Sequence, residues 1–418
     1  MSAEPVASET SIDALLDFTN PRFRRDPYPT YRVFREHAGV LRAERGPFRF
    51  TLLSRHADVT AVLRDPRMSV DRPFQPKPAA DDVDPATLHP LARALRALSR
   101  IMLFRDPPDH TRLRGLVGKA FTPRMVEALR PRIQGLVDEL LAPRLRDGGL
   151  DLVRDFAEPL PILVIAELLG LPPEDRASLK RWSDELAVML DGSIAMQHLG
   201  RAVQSAIEVI DYLRVHLEAK RRDPKDDLIS AMLSAQERDR LSDDEILGTV
   251  LIVMGAGHET TTNLIANGVL ALLRHPDELA RLRAEPGLIV SAVEEILRFD
   301  SPVQATSRMP MEDLEIGGAS FAKGVEIGLL IGAANRDPAV FAEPDRFDVA
   351  RADNRHLSFG LGIHFCLGAG LARLEGQVAL GTLVASAPAL ALDCADDALA
   401  WRPGWLLRGP TSLPIRTR

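Results

Sequence analysis

Residues 357–368 read LSFGLGIHFCLG, and they hold Cys366, one of only two cysteines in a chain of 418 residues. Glycine costs backbone entropy on folding, so the density of Gly360, Gly362 and Gly368 implies a tight turn or a close approach to something bulky. The next stretch, LGAGLARLEGQVALGTLVAS (367–386), repeats apolar residues at helical spacing and meets no proline before Pro388. Cys366 therefore stands at or near a helix N-terminus, where unpaired N–H groups and the helix dipole favour a thiolate. The pattern prepares a soft, electron-rich ligand.

Other readings of this loop compete. Structural zinc needs a second closely spaced pair of ligands, and Cys394 is the only other thiol. A dinucleotide-binding GxGxxG would need glycine at 365, where Phe365 stands. A Cys/His nucleophile built from Cys366 and His364 stays open, because nearness in sequence is not pairing in space. So does an ordinary buried cysteine beside flexible glycines.

A second stretch, LSDDEILGTVLIVMGAGHETTTNLIANGVLALLRHP (241–276), narrows the choice. Ser242 and Glu245 have capping-box spacing and Pro276 is a stop, so one helix from Ser242 to Leu273 is predicted, about 48 Å long. Its flanks are apolar on nearly every face, which fits burial through the centre of a domain. His258, Glu259, Asn263 and Asn267 interrupt the apolar run, which argues against a membrane span. In the middle, GAGHETTT gathers helix-unfavourable glycines and threonines beside Glu259, an expensive group to bury without a partner. A thiolate facing an acid, an alcohol and a glycine-opened helix suits a bound cofactor that handles oxygen and protons.

Composition sets the frame. The formal net charge is −7, which gives no reason to expect a nucleic-acid partner, and two cysteines exclude a disulfide scaffold. The opening MSAEPVASETSIDALLDFTN has neither a basic nor an apolar targeting segment, so a cytoplasmic protein without a membrane anchor is expected. Helical patterns dominate from Tyr28 to Arg298, with strand-like pieces at Phe48–Leu53 and between Gln304 and Ile331. Asp65–Pro90 is rich in proline and aspartate and is expected to be an irregular binding loop. The division expected is a flexible N-terminus over 1–20 and a single domain over 21–418.

Taken together, the chain resembles a bacterial cytochrome P-450, a haem-thiolate monooxygenase, over nearly its whole length. Phe359, Gly360, Gly362, His364, Cys366 and Gly368 match the family's FGxGxHxCxG signature. Ala256, Gly257, Glu259 and Thr260 match its AGxET segment, and Glu295 and Arg298 match its ExxR motif. Arg346, in FAEPDRF, resembles the arginine that completes the ExxR network.

The resemblance implies a mainly α fold with small β-sheets and a long central helix over a buried haem b (iron protoporphyrin IX). Cys366 would be the axial ligand of the iron. His110 and Arg114, four apart in DPPDHTRLRGLV, would hold the haem propionates together with Arg308 and His364. Thr260 and Glu259 would serve proton delivery, with Gly257 letting the helix approach the site. Glu295, Arg298 and Arg346 would form a structural network behind the haem. The substrate would be a hydrophobic small molecule against Phe74, Val253, Val303, Ala305, Trp405 and Leu406.

The reaction implied is insertion of one atom of dioxygen, as hydroxylation or epoxidation. Its electrons would come from an external ferredoxin or flavodoxin-type partner, because the chain has no module for either. Arg112, Arg114, Lys119, Arg124, Arg355 and Arg373 would form the basic face that this partner meets. A monomer is expected. A peroxide-driven peroxygenase on the same scaffold and a non-catalytic haem sensor or carrier are the alternatives. Glu259 and Thr260 weigh against both.

Overall fold

The structure is a computed structural model that describes residues 20–37, 39–45, 48–71, 87–188, 192–239 and 241–418. The expected flexible N-terminus therefore lies almost wholly outside the described residues, as does Phe74. The architecture is mainly helical with three small sheets.

The central helix runs from Asp243 to Arg274, within a residue of the predicted span. Its start is the capping box read from the sequence: Ser242 Oγ accepts from the Glu245 amide, and the Glu245 carboxylate accepts from the Ser242 amide at 2.9 Å. Asp243, Asp244 and Glu245 complement the dipole of this first turn. They also fasten it to neighbouring helices. Asp244 forms an ion pair with Arg96 of the helix Pro90–Leu98 at 2.5 Å and accepts from Arg214 of the helix Gly192–Arg222 at 2.8 Å. Glu245 pairs with Arg112 of the helix Asp109–Ala120.

Beyond the first turn the helix is buried on most faces, and Ile246, Val250, Leu264, Ile265 and Val269 belong to the largest apolar core. Two further helices close that core around it. One is Ile289–Phe299, which carries Glu295 and Arg298; the other is Ala369–Ser386, which follows Cys366.

The main sheet has five strands: β1 (Val40–Arg45), β2 (Phe48–Leu53), β3 (Met68–Ser69), β4 (Ala305–Pro310) and β5 (Ile327–Leu330). Their order is β1-β2-β5-β4-β3. Only β2 and β5 are parallel, and the chain crosses the whole helical body between them. The expected irregular loop at Asp65–Pro90 thus contains a short strand, because β3 borrows ladder bonds from β4. Near the C-terminus, an isolated bridge joins Val303 to Leu407 and another joins Trp401 to Pro410. They hold a turn over 401–410 against both the sheet and the central helix.

Candidate active site

The cysteine loop is a rigid turn. Gly360 and Gly362 have φ of 68° and 71°, which side-chain-bearing residues rarely adopt, and a Cβ on Gly362 would collide with the Leu63 carbonyl. The Cys366 amide closes the turn on the Phe359 carbonyl at 2.8 Å. Asn335 Oδ1 pins the start of the loop by accepting from Leu357 N at 2.7 Å. Over the Phe359 ring lies the guanidinium of Arg373, 4.5 Å from its centroid and paired with Glu294 at 2.7 Å.

Cys366 precedes the N-cap, Gly368, of the helix that follows, and the Gly368 and Ala369 amides are aimed at its sulfur. The helix end does not by itself yield the expected thiolate. Burial pushes the thiol's pKa up and outweighs those amides together with Arg114 and Arg373. A cation at the sulfur is what would deprotonate it. The side chain keeps accessible surface while protein crowds it, so it sits on the wall of a recess.

Beside this loop the structure brings together the four predicted propionate ligands. The rings of His110 and His364 lie 4.1 Å apart, and Arg114 Nη2 donates to the Phe365 carbonyl at 2.5 Å. Burial lowers the His364 pKa to about 3, reinforced by His110, Arg308 and Arg114. His110 Nδ1 is buried with no hydrogen-bond partner, and a Cβ on Gly368 would meet nothing within 4 Å. Two guanidiniums beside two neutral imidazoles, an unsatisfied buried ring nitrogen and open space beside a thiol fit an iron porphyrin with two carboxylates.

On the central helix, Thr260 Oγ1 donates to the Ala256 carbonyl at 2.8 Å. Glu259 Oε1 accepts from Arg402 Nη1 at 2.7 Å, and burial raises the carboxyl's pKa against the pull of that guanidinium. Gly257 does not take the place expected for it. The helix is unbroken there, and a Cβ would meet Ile165 Cδ1 at 3.1 Å, so the missing side chain admits the helix Pro159–Leu169.

The ExxR network also needs a correction. Arg298 places all five of its N–H groups: two on Glu295, and one each on the carbonyls of Asn335, Pro344 and Arg346, with Nε on Glu295 at 2.7 Å. Arg346 contributes that carbonyl alone. Its side chain is exposed and pairs with Glu343, while Arg351 supplies the second guanidinium on Glu295 at 3.1 Å.

Among the expected substrate contacts, Ala305 is fully buried in the cluster of Phe23, Tyr28, Tyr31 and Phe34, and Trp405 packs against the same cluster. β4 turns Ala305 toward the N-terminal helices, so it is unavailable to a ligand. Val253 is half-buried against the main core, Val303 bridges Leu407, and the Leu406 carbonyl accepts from Gln304 N at 2.7 Å. Half of the basic face is neutralised, with Arg112 on Glu245, Arg373 on Glu294 and Arg355 on Asp353. The residues that the spacing missed are Arg351 and Arg402. Neither falls within a local motif.

Similarity to known proteins agrees with this geometry. A model of the family described as Cytochrome P450 matches residues 186–386. The chain is 44% identical over 403 residues to a vitamin D(3) 25-hydroxylase of Pseudonocardia autotrophica, covering 96% of each. It is 42% identical over 407 residues to 6-deoxyerythronolide B hydroxylase of Saccharopolyspora erythraea, covering 96% of this chain and 98% of that one. The crystal structure of P450BioI with hexadec-9Z-enoic acid ligated acyl carrier protein superposes with a TM-score of 0.88 at 36% identity, covering 95% of this chain and 99% of that one. With the cysteine turn, the cationic cluster and the central helix all in place, the chain belongs to the cytochrome P450 family, haem-dependent monooxygenases.

Proposed function

We propose that this P450 hydroxylates or epoxidises a lipophilic small molecule, using electrons delivered by a separate ferredoxin or flavodoxin-type protein. The observation that carries the reading is the neighbouring pair on the central helix, a hydroxyl at Thr260 and a partly buried carboxyl at Glu259. Such a pair serves an enzyme that must supply protons to dioxygen. A peroxygenase, whose oxygen arrives already reduced, has less use for it.

Cys366 would hold haem b at its iron, and His110, Arg114, Arg308 and His364 would hold its propionates; the group would supply dioxygen activation. The protein's own residues do the rest. Thr260 gives up its bond to the Ala256 carbonyl and turns its hydroxyl toward the bound ligand. Glu259 takes up a proton on its carboxylate and passes it to the Thr260 side, a type of contribution worth about 10² to 10⁴ in rate. Phe359 and Arg373 keep the sulfur's surroundings fixed, and the Glu295–Arg298 pair holds the scaffold behind them.

The names of the relatives point to the size of the substrate, since vitamin D(3), 6-deoxyerythronolide B and a carrier-bound hexadecenoic acid are all large and largely apolar. Val253, Val303 and Leu406 are the described residues that would face it. A monomer working in the cytoplasm fits this reading. Among the described residues no helix is long and apolar enough to cross a membrane.

The test is a shift of the haem Soret band on titrating sterols, macrolactones and fatty acids into the purified holoenzyme. Turnover of the binders follows, once with ferredoxin, its reductase and reduced nicotinamide and once with hydrogen peroxide. Product only with peroxide would establish the peroxygenase, and binding without product in either arm would establish a carrier.

A further inference from the structure

Arg402 is the partner of Glu259, and the turn that carries it is fixed on three sides. The Arg402 amide donates to the Gly409 carbonyl at 3.0 Å, between the Trp401–Pro410 and Val303–Leu407 bridges. Arg402 Nε donates to Asn263 Oδ1 at 3.2 Å, one helical turn beyond Glu259 on the same face. Position 409 must be glycine, because a Cβ there would overlap Asn263 Oδ1. The turn therefore presses on the central helix just where its carboxylate emerges.

The same guanidinium serves a second acid. Arg402 Nη2 donates to Glu158 Oε1 at 3.3 Å, against 2.7 Å for Nη1 to Glu259. Glu158 in turn approaches Lys180 at 3.6 Å, and Lys180 holds Asp184 at 2.7 Å. His258, buried and neutral, approaches Asp184 at 3.4 Å without a hydrogen bond. Three carboxylates thus share two cations, and Glu158 and Glu259 compete for one of them.

We propose that Arg402 is a positioning residue for Glu259, holding its carboxylate on the C-terminal turn and releasing it when Glu158 takes over the guanidinium. This rests on the reading of Glu259 as the proton carrier. The groups facing Glu259 act in opposite directions. After burial, Asp184 and Glu158 favour its protonated form, while Arg402 and Lys180 favour its charged form.

The experiment is infrared difference spectroscopy of the ferric holoenzyme, wild type minus Glu259→Gln, following the protonated-carboxyl band against pH. Arg402→Gln moves the midpoint up by about 1 to 3 pH units, and Arg402→Lys moves it up by less. Glu158→Gln moves it down, because Arg402 is left to Glu259 alone. A midpoint that stays in place in both Arg402 variants, or that rises in Glu158→Gln, overturns the proposal. Haem content and Soret position check the fold of each variant, and Arg402→Lys carries the test if Arg402→Gln loses haem.

Turnover of Glu259→Gln separates this proposal from the reading beneath it. Midpoints that move as stated, with wild-type turnover in Glu259→Gln, support the clamp and retire the proton-carrier role. Unmoved midpoints with slowed turnover do the reverse.

Discussion

Glu295 and Arg298 lie three residues apart on one helix with no solvent exposure on either side chain, joined by two hydrogen bonds of 2.7 and 2.8 Å. On a helix surface such a pair contributes a few tenths of a kcal/mol. Buried, it behaves differently, because removing one partner leaves an uncompensated charge and costs about 3–5 kcal/mol. Glu295→Gln is therefore expected to lose haem on purification and to melt far below wild type.

The correction to this network gives a sharper test. Arg351 bonds Glu295 directly, whereas Arg346 offers only its carbonyl. Arg351→Gln should destabilise by about 1.5–3 kcal/mol, the range for a hydrogen bond to a charged group. Arg346→Ala should leave melting temperature and haem retention unchanged. Equal losses in the two variants would show that the Arg346 side chain matters after all.

What the sequence made legible was local. The cysteine turn, the capping box at Ser242 and the Glu295–Arg298 spacing each lie within a few residues, where backbone geometry ties spacing to contact. Arg351 and Arg402 reach partners 56 and 143 residues away, and no periodicity encodes such a distance. Gly257 was assigned to the wrong neighbour for a related reason. The pattern shows a glycine within the helix, but only packing shows that Ile165 lies against it. Ala305 went astray because the short strand ATSRMP carries no regular apolar alternation that would tell inside from outside.

Cys366 is expected to give the reduced carbon monoxide complex the strongly red-shifted Soret band of a thiolate-ligated haem. Cys366→His should keep some haem and show a globin-like band. Cys394, half-buried beside the main core, should tolerate serine with its carbon monoxide spectrum unaltered. A globin-like band from the folded wild-type protein would remove Cys366 from the iron.

His258 makes the fold sensitive to acid. Burial, with Lys180 and Arg402 nearby, lowers its pKa from 6.5 to about 3, so the unfolded chain binds a proton that the folded chain refuses. The stability contributed by this site is full above pH 6.5 and drains away as pH falls toward 3. Since neither ring nitrogen has a hydrogen-bond partner, His258→Phe removes the titration at little cost in bonding. Melting temperatures measured from pH 7.5 down to 4.5 should fall less steeply in the variant. Parallel curves would mean that other groups carry the acid response.

Thr260 can be removed without disturbing the helix that carries it. Its hydroxyl bonds back to the Ala256 carbonyl, an arrangement that slightly destabilises helices, and alanine is the better helix former. Thr260→Ala should therefore fold, bind haem and bind substrate as the wild type does. On the proposed reading it lacks the hydroxyl that receives protons from the Glu259 side, so reduced oxygen should escape as hydrogen peroxide before product forms. The ratio of product to reduced nicotinamide consumed is expected to fall while consumption itself continues. Glu259→Gln should differ in kind: if Glu259 is the proposed carrier and Thr260 the acceptor, overall consumption should slow by about 10² to 10⁴. Both variants are assayed on one turned-over substrate, with peroxide yield measured alongside. Wild-type coupling in Thr260→Ala would move the proton acceptor elsewhere on the helix, to Thr261 or to ordered water, and leave Thr260 as a packing residue.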